Sequence, residues 1–244
     1  MTQEGQLLSF ISDKDLEKAI MKILNVVAAA KENAAKALYK NRIDPFSAVF
    51  DASHQKISLA RWIEQEKSRQ AQKTLQNAIG DFRQDILGAV IGWENLGRGH
   101  VLDVRNPKKR IIAEIKNKFN TTKGNHKKQI YDDIKSELAK PENIGFVGYY
   151  VEVVPARPKP YDKPFTPPDN QTHKRRPVNE NIRVIDGKSF YKLATGIDDA
   201  LEQLYDILPR AISEIFGIRT DELYKDKLFK GLFEKVYGQK AGDK

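Results

Sequence analysis

The sequence contains no cysteine, which removes disulfide bridges and thiolate metal ligands and gives no sign of an oxidising compartment. Long apolar runs are missing too. The longest, Ile23-Leu24-Asn25-Val26-Val27-Ala28-Ala29-Ala30, is interrupted and far too short to cross a bilayer. The N-terminus lacks the basic start of a secretory signal, so a soluble cytoplasmic protein is the expectation. The four histidines, His54, His100, His126 and His173, are scattered, with no pair at zinc spacing. The chain has no Gly-x-x-x-x-Gly-Lys-Ser/Thr phosphate loop and no Gly-x-Ser-x-Gly elbow, which argues against an ATP-driven enzyme and an elbow-type hydrolase.

What the chain does have is positive charge, unevenly placed. Its 244 residues carry a net +9. Residues 101–192 hold 20 Lys and Arg against 11 Asp and Glu, whereas residues 193–244 hold 8 against 10. From Arg105 to Lys128 there are nine basic residues, and Glu114 is the only acid. A lone carboxylate among so many cations fits a surface that faces a polyanion while keeping one acid for a metal. Membrane binding would want an amphipathic helix with bulky apolar residues beside the charges, and that is missing.

The densest chemistry lies within that basic stretch. Residues 101–104 and 110–115 are rich in β-branched and aliphatic side chains, and Asn106-Pro107-Lys108-Lys109 between them is turn chemistry, so the spacing predicts a β-hairpin. Alternation along the second strand puts Glu114 and Lys116 on one face, with Ala113 and Ile115 on the other. Pairing of the strands brings Asp103 beside Glu114. Two carboxylates and an ammonium then converge at the end of a sheet. Mg2+ is a hard cation that uses one or two protein carboxylates, keeps several waters and takes the remainder from substrate phosphate. Such an ion polarises a phosphodiester and acidifies an attacking water, while the lysine offsets charge in the transition state. The same residues also serve as a solvated strand end or as protection of a sheet edge.

Around the hairpin, Ser12-Asp13-Lys14-Asp15 marks a helix start followed by Leu16, Ile20, Ile23 and Val27 at helical spacing. A loop containing Pro45 is expected over residues 41–56 and a long helix over 59–91. The loop 92–99 leads into the hairpin, and a helix follows over 127–139. An almost continuous apolar run at 145–154 predicts a central strand. Residues 155–177 hold seven of the eleven prolines, and another strand is expected at 181–185. Helices over 196–216, with a kink at Pro209, and over 220–237 close the chain. The order implies an α/β fold, a central mixed β-sheet flanked by helices, with long N-terminal and C-terminal helices. It reads as one domain over 1–244: a helical region 1–56, a core 57–195 with a basic Pro-rich loop 155–180, and C-terminal helices 196–244.

An acid on one strand followed by Glu114-Ile115-Lys116 on the next resembles the PD-(D/E)XK nuclease superfamily, with Leu102 where a proline often precedes the first acid. The runs Gln76-Asn77-Ala78-Ile79-Gly80-Asp81-Phe82-Arg83-Gln84 and Ala113 to Thr121 are similar to the Type II restriction endonucleases that cut GGNCC. So are Gly148 to Pro155 and Asp186-Gly187-Lys188-Ser189-Phe190-Tyr191. The resemblance covers residues 61–208. It implies a restriction-endonuclease-like core in which Asp103, Glu114 and the carbonyl of Ile115 hold Mg2+ and Lys116 acts on the water. In that superfamily an acid or amide on the helix before the hairpin often completes the site. Glu66, Asp81, Asn77 and Gln84 are candidates, with Gln84 and Asn77 preferred.

The loop after the catalytic strand carries small polar and basic side chains suited to phosphate oxygens and base edges. Arg105, Asn117, Lys118, Asn120, Thr121, Lys123, Lys127, Lys128, Arg175 and Arg176 are therefore candidates for DNA contact. The lysines serve either as readers of guanine or as plain phosphate contacts. The Pro-rich segment is either a stiff arm that wraps DNA or an ordinary surface loop. The resemblance implies a double-stranded DNA substrate, a homodimer matching a palindromic target, and a partner methyltransferase. The alternatives are a DNA-binding protein without catalysis and a repair or structure-specific nuclease on the same core.

Overall fold

Between residues 104 and 118 the chain folds back on itself, and the rest of the sheet is laid alongside that ribbon. In the computed structural model, which describes residues 6–33, 43–97, 99–169, 171–217 and 226–238, strand β2 (Val104–Asn106) pairs antiparallel with β3 (Ile111–Lys118). The turn is locked by the Asn106 side chain, which accepts from Lys109 N at 2.9 Å. Strand β1 (Glu94–Asn95) adds to the edge beside β2. On the other side of β3 lies β4 (Val147–Val154), parallel to it, then the parallel strand β8 (Ile182–Asp186) and the antiparallel edge strand β5 (Asp162–Pro164). The sheet is therefore mixed, with order β1-β2-β3-β4-β8-β5, and β4 is central as its apolar run implies. The helix α4 (Gly124–Leu138) makes the crossover from β3 to β4 that parallel strands need.

One face of the sheet is sealed by α4. Ile112, Tyr150, Ile182 and Val184 pack there against Ile130, Tyr131 and Ile134, with Leu102, Phe146 and Phe165 filling the rim. Contact is closest at Gly148, where a Cβ would lie 2.2 Å from Ile134 Cγ2. The other face meets α5 (Gly187–Thr195), whose Phe190 ring stands 5.5 Å from Trp93 and 5.9 Å from Tyr149. The helix α6 (Ala200–Phe216) follows, with Pro209 inside it, and Tyr205 stacks at 4.5 Å on Phe229 of α7 (Lys227–Tyr237).

The chain packs as two units, Lys18–Phe82 and Met1–Glu17 with Arg83–Lys244. The first contains α2 (Pro45–Gln55) and most of the helices α1 (Asp13–Glu32) and α3 (Leu59–Ala89). Its small core joins Ala48, Ala52 and Trp62, and Trp62 Nε1 donates to Asp51 at 2.8 Å. Among the described residues no helix is long and apolar enough to cross a membrane.

Four boundaries differ from expectation. The loop expected over 41–56 contains α2, because Asp44 caps its first turn and Pro45 at the first helical position starts a helix rather than breaking one. Of residues 101–104 only Val104 joins the strand; Val101, Leu102 and Asp103 form a bend. Gly187–Thr195 is a helix that the spacing does not predict: Asp186 caps it by accepting from Ser189 N, and Gly196, expected to open the next helix, ends this one in the left-handed conformation at φ 81°. The Pro-rich segment is neither free arm nor plain loop, since it supplies β5 and the ribbon of β6 (Pro168–Asp169) with β7 (Lys174–Arg175). Part of the helix expected over 220–237 lies outside the described residues.

Candidate active site

Strand β3 runs buried from Ile111 to Ile115 and emerges at Lys116. That transition places charged side chains where the sheet meets solvent. Leu102 is buried in the core beneath α4, which anchors the bend, and Asp103 N donates to the Ala113 carbonyl at 3.0 Å. Asp103 therefore stands opposite Glu114. Its Oδ2 accepts from Ile115 N at 2.7 Å, which orients the carboxylate toward β3. Because N–H and C=O of one strand residue point the same way, the Ile115 carbonyl lies on this same edge.

Glu114 is only 9% exposed, and its carboxyl hydrogen-bonds to Asp103 on one side and to Lys116 Nζ on the other. Its pKa is pushed up from 4.5 to about 7, first by burial, then by the negative charge of Asp103, with Lys116 opposing both. The three residues expected from the sequence thus meet at one point. Among the described residues no group of three or more His, Asp or Glu is placed to enclose a metal, so this centre offers two carboxylates and a carbonyl edge. That donor set fits a hard cation which keeps its waters. A divalent charge held by the two acids would offset the burial and the repulsion that raise Glu114.

The neighbouring strand adds groups that sequence reasoning does not select. Glu152 on β4 is the register partner of Lys116, on the same face, and is buried. Its two oxygens accept from Lys127 Nζ of α4 at 2.6 Å and from the Tyr161 hydroxyl at 2.7 Å. Burial and this carboxylate push the Tyr161 hydroxyl well above its ordinary range. Asp186, next across on β8, accepts from Tyr161 N at 2.7 Å. The one sequence signal for Glu152 is an acid inside an otherwise apolar strand; its place beside Lys116 depends on register. Arg83 near the end of α3 is a second such group. Its Nη1 donates to the Asn117 carbonyl at 2.9 Å and side-chain oxygen at 3.1 Å, tying the helix to the strand just past Lys116. Nothing in its local sequence marks it.

The other candidates separate by what they touch. Lys118 at the end of β3 and Asn120, Thr121 and Lys123 on the loop that leads to α4 are exposed, with Thr121 Oγ1 donating to the Lys118 carbonyl. Asn117 is half-buried under Arg83. Arg105 donates to the Glu142 carbonyl and lies over the Phe146 ring at 5.1 Å. Lys127 is paired with Glu152, and Lys128 is paired with Asp169 at 3.2 Å. Arg176 pairs with Asp132 and, at 3.7 Å, with Asp169. Arg175 is exposed and donates to the Thr166 carbonyl. Gln84 is half-buried one residue beyond Arg83. Asn77 and Asp81 are exposed in the 18–82 unit, where Glu66 is held by Arg69 and Gln70.

Comparison with known proteins gives a single answer. The family model described as Eco47II restriction endonuclease matches residues 8–217. The Type II restriction enzyme Eco47II of Escherichia coli is 40% identical over 243 residues, covering 97% of this chain and 99% of the relative. The Type II restriction enzyme Sau96I of Staphylococcus aureus is 32% identical over 239 residues, covering 96% and 90%. With a hairpin centre suited to phosphodiester chemistry and a match over nearly the whole length, the chain belongs to the Eco47II family of Type II restriction endonucleases.

Proposed function

We propose that this restriction endonuclease hydrolyses phosphodiester bonds of double-stranded DNA at GGNCC in a Mg2+-dependent reaction centred on Asp103, Glu114 and Lys116. The observation that carries the proposal is the convergence of those three side chains at the solvent end of β3, with Glu114 raised to about 7 by burial and by Asp103. The carboxylates of Asp103 and Glu114 and the Ile115 carbonyl would hold Mg2+, which would supply polarisation of the scissile phosphate and a lowered pKa for the attacking water. Lys116 Nζ, about a third exposed, orients that water and stabilises the negative charge that builds on the phosphoryl oxygens. Water attacks phosphorus and the P–O3′ bond breaks, leaving 5′-phosphate and 3′-hydroxyl ends. Arg83 fixes the backbone of Asn117 just beyond the lysine, and the adjacent Gln84 is assigned to positioning the water.

DNA contacts are assigned to Lys118 at the end of β3, to the exposed loop residues Asn120, Thr121 and Lys123, and to Arg175. Arg105, Asn117, Lys127, Lys128 and Arg176, engaged with protein groups, support that surface from behind. A palindromic target calls for two copies related by two-fold symmetry, so a homodimer is proposed. A cytoplasmic location and a methyltransferase that protects host sites complete the reading. Digestion of a plasmid of known sequence with Mg2+, followed by sequencing of fragment ends, tests it. Discrete fragments ending at GGNCC are expected; cuts at unrelated sites, nicks or intact plasmid would contradict it.

A further inference from the structure

The Pro-rich segment 155–168 walls a cleft of about 570 Å³ at the carboxyl ends of β4 and β8, the same sheet edge that carries Glu114 and Lys116. Arg157, Lys159, Lys163 and Arg175 line it, on a floor that includes Phe165 and Val184. All four cations are exposed, and among the described residues none of them has a carboxylate partner. The neighbouring cations differ: Lys127, Lys128, Arg176 and Arg183 are each neutralised, by Glu152, Asp169, Asp132 with Asp169, and Asp162 with Glu180. Among the described residues Glu152 is the only acid in the lining, and both of its oxygens are occupied, so it does not oppose an incoming anion.

The wall is also held in place. β5 is hydrogen-bonded to β8, Phe165 is buried in the core, and Tyr161 is fixed at both ends, by Asp186 on its backbone and Glu152 on its hydroxyl. Five prolines between 158 and 168 restrict the backbone further. Three cations on a rigid wall and Arg175 beside it, without a carboxylate partner among the described residues, bind a polyanion with little loss of conformational entropy. Lys116 and Glu152 are register partners, so the cleft begins one strand away from the catalytic lysine.

The geometry points to this cleft as a second DNA-binding site, which grips the phosphates flanking the scissile bond through Arg157, Lys159, Lys163 and Arg175. The inference rests on the proposed DNA-cutting function and adds a clamp outside the catalytic hairpin. It divides the basic residues in two. Cations on the cleft wall neutralise phosphate, whereas Lys127, Lys128 and Arg176 hold the α4 and ribbon framework.

The test is the salt dependence of binding to a GGNCC duplex without divalent metal, read by fluorescence anisotropy between about 50 and 200 mM salt. The double variant Lys159→Gln/Lys163→Gln should fold as the wild type does by circular dichroism and lower the slope of log K against log salt by about two units, near 0.9 for each phosphate left without its cation. Lys128→Gln, already neutralised by Asp169, should leave the slope unchanged. A wild type that cuts DNA, with a double variant whose slope is unaltered, would overturn the clamp alone. So would a Lys128→Gln slope that drops as far as that of a cleft cation. A wild type that neither binds nor cuts the duplex would overturn the proposed function and the clamp together.

Discussion

At the residue scale the decisive object is one carboxyl group. Glu114 is squeezed between Asp103 and Lys116, and its raised pKa makes a prediction with a definite sign. Between pH 4.5 and about 7 the folded, metal-free protein holds a proton that the unfolded chain has released. This contribution to stability is complete below 4.5 and is lost as pH rises through about 7. Thermal melts in chelator should therefore fall in midpoint across that window, and Glu114→Gln should flatten the fall. The groups facing Glu114 are Asp103 from the bend, Lys116 from its own strand and Tyr150 from β4, whose hydroxyl burial keeps protonated. Lys116 makes a separate claim. Lys116→Met should reduce kcat by at least about 100-fold, the scale of losing a positioned charge or proton-transfer group, while binding of the uncut duplex stays near wild type.

At the element scale the fold depends on a few tight approaches, and Gly148 is the plainest. Its missing side chain lets Ile134 of α4 rest on the sheet, and a β-branched neighbour has little rotamer freedom to move aside. Gly148→Ala should therefore cost about 1–3 kcal/mol of unfolding free energy, measurable by urea denaturation. Elements with strong periodicity are legible in the sequence. The helix found at Leu59–Ala89, the apolar strand at Val147–Val154 and the hairpin turn all follow from spacing alone. The same pattern offers the meeting of Asp103 with Glu114, since antiparallel pairing across a short turn leaves little freedom of register, but not the bend in which Asp103 sits. What escapes is set by caps and by distant pairing. Pro45 reads as a breaker until Asp44 is seen to cap, and the 155–168 segment reads as coil until β8 is there to pair with it. Glu152 and Arg83 belong to that second class. Their partners, Lys127, Tyr161 and Asn117, lie on other elements, so no local pattern announces them.

At the scale of the whole molecule, the positive excess in residues 101–192 is divided between cations paired with carboxylates and cations that, among the described residues, have no carboxylate partner, on the cleft wall and the loop after β3. A chain of this charge should bind DNA with steep salt dependence, and cutting both strands of a palindrome calls for a protomer pair. Sedimentation of the protein with a GGNCC duplex should give two chains per duplex, and a one-to-one complex would contradict the homodimer. The central claim is that Asp103, Glu114 and Lys116 form the cutting centre, and Glu114→Ala tests it most directly. That variant, incubated with Mg2+ and a plasmid containing GGNCC, should leave the DNA intact while still retarding it in a gel. Fragments matching those of the wild type would place the chemistry elsewhere in the protein.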